Sequence, residues 1–373
     1  MEKEKIALIV GTRPNIIKAI PVWKKLKSML CDVFLIHTGQ HYSKDLSIVF
    51  FKEFGVPLDN ILFLKNYPKN KTEDKQFTWM FSNIINSLLK HKINKVIIFG
   101  DVNSSLAGAM SALFLKLKIV HVEAGLRSFN SLMPEERNRK IIDSISDLLL
   151  TTESSAMTNL INEGLEKKAY HCGNTMIDTL VYYYPIFTDL SMMEYEKRKL
   201  EKKKYILFTF HRQENLISEE IIQKVLTSIQ KIAIDLKIKV LFPIHPRTEK
   251  RIKKIKINID SKYLILCQPL GYLNMMNLLY HAGILITDSG GLQEEASYLG
   301  VPTLTIRDET ERPSTVIHGA NIIIPPKDYF FYDLILENCK KYLGKRQKNL
   351  LDIKKEMGTG DSSEIMAMRI IKL

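Results

Sequence analysis

Short, β-branched apolar runs alternate with amphipathic stretches of helical length along nearly the whole chain. Ile6–Val10, Val33–His37, Lys95–Gly100, Ile119–Val122 and Leu148–Thr151 form a first series of such runs. Tyr205–Phe210, Lys239–Pro243, Tyr263–Leu266, Gly283–Thr287 and Pro302–Ile306 form a second. Continuous apolar runs of this size suit parallel strands whose two faces are both covered by helices. Between the series lies 182–204, a charged stretch with a helical, linker-like pattern. The fold class expected is α/β, with two doubly wound domains in succession and a ligand cleft where strand ends face each other.

A length of 373 residues with 45% hydrophobic content suits two ordinary domains. No apolar stretch approaches the ~18 residues of a membrane span. The first residues carry no apolar signal core, so a cytoplasmic location is expected. Cys31, Cys172, Cys267 and Cys339 are scattered without CxxC spacing, which supports neither a zinc site nor a disulfide framework. The formal charge of +13 fits nucleic acid or an anionic small substrate. The basic runs at 202–204 and 250–256 lack interleaved aromatic residues, so a solvated surface is the reading for them and nucleic acid is not expected.

The informative residues fall just after strands, where open parallel sheets bind ligands. Gly11-Thr-Arg-Pro14 with Lys18 closes the first strand and opens a helix whose free N–H groups, with Arg13 and Lys18, suit an anion. It lacks GxGxxG spacing and is no dinucleotide fingerprint. Asp288-Ser-Gly-Gly291 opens another helix; Ser289, Gly290 and Gly291 would let backbone N–H groups approach a pyrophosphate, and Glu295 could reach a ribose diol. Arg307 and Arg312 flank a dense charge alternation after a further strand. His211-Arg212 and His245-Pro-Arg247 also follow strands and suit anion contact. Asp101 and Glu123 end strands, while Glu135 and Glu136 open a helix after Pro134, with His121 and Arg127 nearby. General acid–base chemistry needs such carboxylates. No DxD-like pair accompanies them, so metal-free chemistry without a cofactor is expected.

Taken together, these segments resemble the non-hydrolysing UDP-N-acetylglucosamine 2-epimerases almost end to end. The likeness rests on Gly11–Pro14 with Lys18, Thr38-Gly-Gln-His41, Gly100–Ser104, His121–Arg127, Pro134–Arg139, Gly173-Asn-Thr175, His211–Asn215, Asp288–Glu295 and Thr310–Pro313. The resemblance implies two facing Rossmann-like domains of the glycosyltransferase-B type. Residues 1–172 would form the first, with the acid–base cluster, and 173–358 the second, which binds UDP. A terminal helix within 359–373 would pack back onto the first domain. It further implies proton transfer by Asp101, Glu123 and Glu135, with His211 steadying the departing diphosphate beside Arg13 and Lys18. Ser289, Gly290 and Gly291 would hold the phosphates, Glu295 the ribose, and Arg307 would support the site.

Many bacterial members of the family bind a second UDP-N-acetylglucosamine as activator. The matching positions here are Gln40, His41, Ser43, Lys75, Glu136, Arg212 and His245, with Ser43 and Lys75 in place of the usual Gln and Arg. Asn15 stands where an acidic residue is usual, and Ser314 where Glu is usual. The implied partners are a UDP-sugar and a second copy of the chain, as a homodimer. The implied reaction is C2 epimerisation of UDP-N-acetylglucosamine, for surface polysaccharide synthesis. An epimerase of a 2,3-diacetamido uronate, a glycosyltransferase of the same fold and a non-catalytic nucleotide-sugar binder are the other readings.

Overall fold

A computed structural model describes the chain apart from residues 1–3, 41–43, 69–70, 190–193, 256–261 and 348–349, and apart from the side chains at 44–47 and 49. The chain divides into two compact units, Met1–Tyr182 with Lys355–Leu373, and Tyr183–Lys354. The division falls after Tyr182 and not after Cys172, because the helix Thr175–Thr188 begins on the first unit. Thr179 in that helix donates from Oγ1 to the Ile17 carbonyl at 2.8 Å, tying its first turns to the helix Arg13–Ser28.

Among the described residues the first unit carries a seven-stranded parallel sheet. Its strands are β1 Lys5–Val10, β2 Asp32–His37, β3 Ile61–Phe63, β4 Lys95–Phe99, β5 Lys118–Val122, β6 Leu148–Thr151 and β7 Ala169–His171. They lie in the order β3-β2-β1-β4-β5-β6-β7, so the order reverses between β1 and β4. The central strands β1 and β4 are almost wholly buried, as their unbroken apolar runs require.

The second unit repeats the plan with β8 Tyr205–Thr209, β9 Lys239–Pro243, β10 Leu264–Cys267, β11 Ile284–Thr287, β12 Thr303–Thr305 and β13 Asn321–Ile323. The order is β10-β9-β8-β11-β12-β13, all parallel, with the reversal between β8 and β11. Ligands bind at such reversals, beyond the carboxyl ends of the strands. The segments after β1, β4, β8 and β11 are therefore the places to look for a site.

The helix Ser362–Lys372 belongs to the first unit. Asp178 caps it from outside, its carboxylate accepting from Ser362 N at 3.2 Å and Ser363 N at 2.6 Å. Met366, Ala367 and Ile370 are fully buried. The ammonium of Lys95, itself buried, donates to the Ile370 carbonyl at 2.5 Å and pairs with Glu4 at 2.8 Å. Lys95 opens a central strand, so the tail helix is anchored to the middle of the sheet.

His37 ends β2 in a buried aromatic setting, 5.8 Å from the Phe51 ring and 5.5 Å from Phe63. Its Nδ1 accepts from the Gly39 amide at 3.1 Å. Burial disfavours the imidazolium and pushes the ring down to about 4, with the backbone contact opposing in part. The native ring thus stays neutral where the unfolded ring, near 6.5, takes a proton. Stability is untouched above pH 6.5 and falls as pH drops from there towards 4. His37→Asn keeps an acceptor for Gly39 but does not titrate. Between pH 6.5 and 5 the wild type should lose about 1–2 kcal/mol more than this variant, at about 1.4 kcal/mol per pH unit. Denaturant melts at both pH values measure the difference, and parallel losses would contradict the assignment.

Candidate active site

In the first unit, the turn after β1 is built around Asn15. Its Oδ1 accepts from Thr12 N at 3.2 Å and from Thr12 Oγ1 at 2.8 Å, and its Nδ2 donates to the Phe99 carbonyl at 2.9 Å. A carboxylate at this position could not make the last bond, which accounts for an amide here. The helix that follows presents Lys18, whose ammonium contacts the Glu123 carboxylate; both side chains are buried. Glu123 sits just past β5 with φ +72°, a left-handed conformation that costs a non-glycine residue about 1 kcal/mol or more. Gly100, at φ +63°, closes β4 beside it, and a Cβ there would lie 3.1 Å from Glu123 Oε2. The backbone is thus shaped around this one carboxylate.

Asp101 follows Gly100. Its Oδ2 accepts from Arg139 Nε at 2.7 Å, and its backbone carbonyl accepts from Asn138 Nδ2 at 2.8 Å. The side chain keeps about 29% of its surface open to solvent. Arg139 also donates to Glu136 Oε2 at 2.6 Å, and Ser128 N donates to the same oxygen at 2.8 Å. Glu135 opens the helix Pro134–Ile145 and is half-buried. Arg13 lies over the Phe50 ring, 4.7 Å from its centroid.

His121 and Arg127 do not point at this cluster but form its buried support. His121 Nδ1 lies 2.6 Å from Asp143 Oδ1, and Nε2 lies 3.0 Å from the Gly100 carbonyl. Asp143 Oδ2 accepts from Gly125 N at 3.1 Å and from Arg127 Nη2 at 2.7 Å, while Arg127 also holds Glu163. Burial alone would raise the Asp143 carboxyl, but the neighbouring His121 and Arg127 bring it below the usual range. One buried charge network therefore pins the Gly100 turn and the Glu123–Arg127 loop together.

In the second unit, His211 follows β8 and Asp288 follows β11. These strands are neighbours, so the two residues meet. Asp288 is fully buried; its Oδ2 accepts from His211 N at 2.9 Å and Arg212 N at 2.8 Å, with Asn215 Nδ2 at 3.3 Å. Its Oδ1 lies 3.1 Å from His211 Nδ1, at ion-pair distance. Burial works against the carboxylate, but His211 and these donors hold it below its ordinary range. The motif reading gave Asp288 no role of its own; only the adjacency of β8 and β11, invisible in chain order, assigns it one.

Ser289 caps the helix Gly290–Leu299, its Oγ accepting from Leu292 N at 3.5 Å, and no acidic residue occupies the first turn. Arg212 reaches this turn: a Cβ on Gly290 would come 3.8 Å from Arg212 Nη2. The guanidinium is steadied by Glu214 at 3.0 Å and Glu311 at 3.4 Å. Glu311 also takes both Arg307 Nη1 at 2.6 Å and Nη2 at 3.1 Å, a bidentate pair that is buried. Despite burial, the surrounding arginines hold Glu311 well below the usual carboxylate range. Arg312 Nε pairs with Glu294 Oε1 at 2.8 Å. Glu295 is buried on the same helix. The helix start thus combines backbone donors with fixed cations, a setting that suits an anion.

Of the positions matched to an activator site, Gln40, Lys75 and Glu136 lie in the first unit, Arg212 and His245 in the second, and His41 and Ser43 outside the described residues. The Gln40 side-chain oxygen Oε1 is engaged at the start of the helix Asn103–Phe114, accepting from Ser104 N at 2.9 Å. Lys75 is exposed. The His245 ring lies 5.8 Å from that of His211. Among the described residues no group of three His, Cys, Asp or Glu side chains is placed to hold a metal ion, and no helix is long and apolar enough to cross a membrane.

Two parallel-sheet units of Rossmann order in one chain, with a candidate anion-binding helix start after β11, are of the α/β glycosyltransferase-B fold class. The family profile for UDP-N-acetylglucosamine 2-epimerase matches residues 24–371. A UDP-N-acetylglucosamine 2-epimerase of Methanococcus maripaludis is 40% identical over 324 residues, covering 86% of this chain and 87% of its own. The UDP-2,3-diacetamido-2,3-dideoxy-D-glucuronate 2-epimerase of Pseudomonas aeruginosa is 34% identical over 373 residues, 99% of this chain and 100% of its own. Among solved structures, the Methanocaldococcus jannaschii UDP-GlcNAc 2-epimerase in complex with UDP-GlcNAc and UDP superposes with a TM-score of 0.88, at 36% identity and 99% coverage of both chains. The chain belongs to the UDP-N-acetylglucosamine 2-epimerase family and is an isomerase.

Proposed function

We propose that this enzyme interconverts UDP-N-acetylglucosamine and UDP-N-acetylmannosamine by eliminating and re-adding UDP. The observation that carries the proposal is the buried Glu123 carboxylate, held in a left-handed turn against Lys18, one residue beyond a strand and beside the Asp101 turn. The C2 proton of an N-acetylhexosamine has no adjacent carbonyl, so direct enolisation is closed. A base takes that proton, the C–H electron pair becomes the C1–C2 double bond, and the C1–O bond breaks with its pair going to UDP. The 2-acetamidoglucal that remains accepts UDP again at C1 and a proton on the opposite face of C2.

Asp101, Glu123 and Glu135 are the proton-transfer groups in this reading. Arg13, Lys18 and His211 steady the departing diphosphate. Ser289, Gly290 and Gly291 hold the phosphates, Glu295 holds the ribose, and Arg307 acts through its pairing with Glu311. Gln40, His41, Lys75, Glu136, Arg212 and His245 are the candidate activator contacts by resemblance to the family. The enzyme would work as a homodimer in the cytoplasm and supply surface polysaccharide synthesis.

The P. aeruginosa relative, matched along its entire length, favours a second reading: the same chemistry on a 2,3-diacetamido uronate. Proton NMR of UDP-N-acetylglucosamine with enzyme in D₂O separates the two. UDP-N-acetylmannosamine should appear, with deuterium entering C2 of both sugars. An unchanged spectrum, with turnover of the diacetamido uronate, would move the enzyme to the second substrate. Free UDP with a free mannosamine derivative would overturn the reversible mechanism.

A further inference from the structure

We infer that Asp288 is the positioning residue for His211: it commits the imidazole Nδ1 as a donor and leaves Nε2 for the diphosphate. The inference deepens the proposed function and rests on it for the identity of the ligand. Its geometric part stands alone. Asp288 is fully buried, whereas the His211 ring is about 38% exposed, so the carboxylate lies behind a ring that faces outward. Both carboxylate oxygens are turned to the β8 end. Oδ2 takes the His211 and Arg212 amides and the Asn215 side chain, while the buried Oδ1 has no hydrogen bond and lies at ion-pair distance, 3.1 Å, from His211 Nδ1, where a small turn of the ring would align the donor. Asn215 in turn donates to the Ile306 carbonyl at 3.1 Å, which braces the arrangement against the end of β12.

A carboxylate in this place does two things. It fixes the plane and tautomer of the imidazole, because an ionised acid can only accept. It also balances charge: with Asp288 behind it, the ring takes one proton from solvent onto Nε2 as the diphosphate binds in front, and then donates Nδ1–H to Asp288 and Nε2–H to the oxygen that receives the electron pair when C1–O breaks. No proton leaves the ring in this step, and the C2 proton goes to the carboxylate base. An amide in place of this carboxylate would present an NH₂ to Nδ1 or lose the backbone contacts, so Asp288→Asn should undo the tautomer while keeping volume.

The test has two independent readouts. In long-range ¹H–¹⁵N spectra of histidine-labelled enzyme, the neutral His211 ring should carry its proton on Nδ1, and added UDP should move the Nε2 resonance. Asp288→Asn should shift the proton to Nε2 and lower kcat on the order of 10²-fold or more, with KM changed by less than about threefold. His211→Asn with Asp288→Asn should be no slower than His211→Asn alone, since Asp288 acts through the ring. Wild-type spectra with the proton on Nε2, or additive losses in the double variant, would overturn the inference even where Asp288→Asn folds poorly. Absence of epimerase activity in the wild type would instead sink the functional reading and leave the ¹⁵N result to judge the pairing.

Discussion

Glu123→Gln should lower kcat by about three orders of magnitude, within the 10²–10⁴ range of a lost general acid or base, while UDP affinity measured by calorimetry stays near that of the wild type. The substitution keeps the shape that the absence of a Cβ at Gly100 leaves room for, and removes only the charge and basicity. It also leaves the Lys18 ammonium buried without its carboxylate, so the variant should melt earlier. Deuterium uptake at C2 separates the two effects: a variant that binds UDP normally yet incorporates no deuterium has lost the proton-transfer step. Turnover within about tenfold of the wild type would remove Glu123 from the reaction and shift attention to Asp101 and Glu135.

Asp143→Ala should be the most damaging change to stability. The carboxylate is fully buried and holds His121 at 2.6 Å, Arg127 at 2.7 Å and the Gly125 amide at 3.1 Å. Removing one partner of a buried network strands the others, at a cost of about 3–5 kcal/mol. The fall in melting temperature should be on the order of 10 °C for a unit of this size. Calorimetry checks it, and a drop of only one or two degrees (~0.5 kcal/mol) would show that the network relaxes onto other partners. Because the Asp143 carboxyl is held below its ordinary range, its contribution is present above about pH 4 and is lost as pH falls through the native value. The wild type should therefore lose its advantage over the variant only in acid. Activity should fall as well, since His121 also bonds the Gly100 carbonyl one residue before Asp101.

The central strands were legible because a strand covered on both faces is largely apolar, and β1, β4, β8 and β11 are nearly unbroken apolar runs after at most one leading lysine. The edge strands β3 Ile61–Phe63, β7 Ala169–His171 and β13 Asn321–Ile323 were not, since three residues with one open side leave no pattern to detect. The motif residues were legible for a topological reason: parallel sheets deliver ligand groups at the residues just beyond each strand. What could not be read was which of them meet. His121 and Arg127 sit in the same motif as Glu123 yet serve beneath it, and Asp288 reaches His211 only because β8 and β11 are neighbours.

The return of Lys355–Leu373 to the first unit has a consequence for synthesis. Residues 183–354 emerge from the ribosome as one uninterrupted segment and can collapse as soon as β13 and the helix after it are out. The unit that began first must wait. Until Met366, Ala367 and Ile370 arrive, it exposes the apolar surface they cover, and Lys95 lacks the Ile370 carbonyl. The nascent chain therefore finishes its second half before its first, and chaperone engagement should concentrate on the earlier-made unit during that interval.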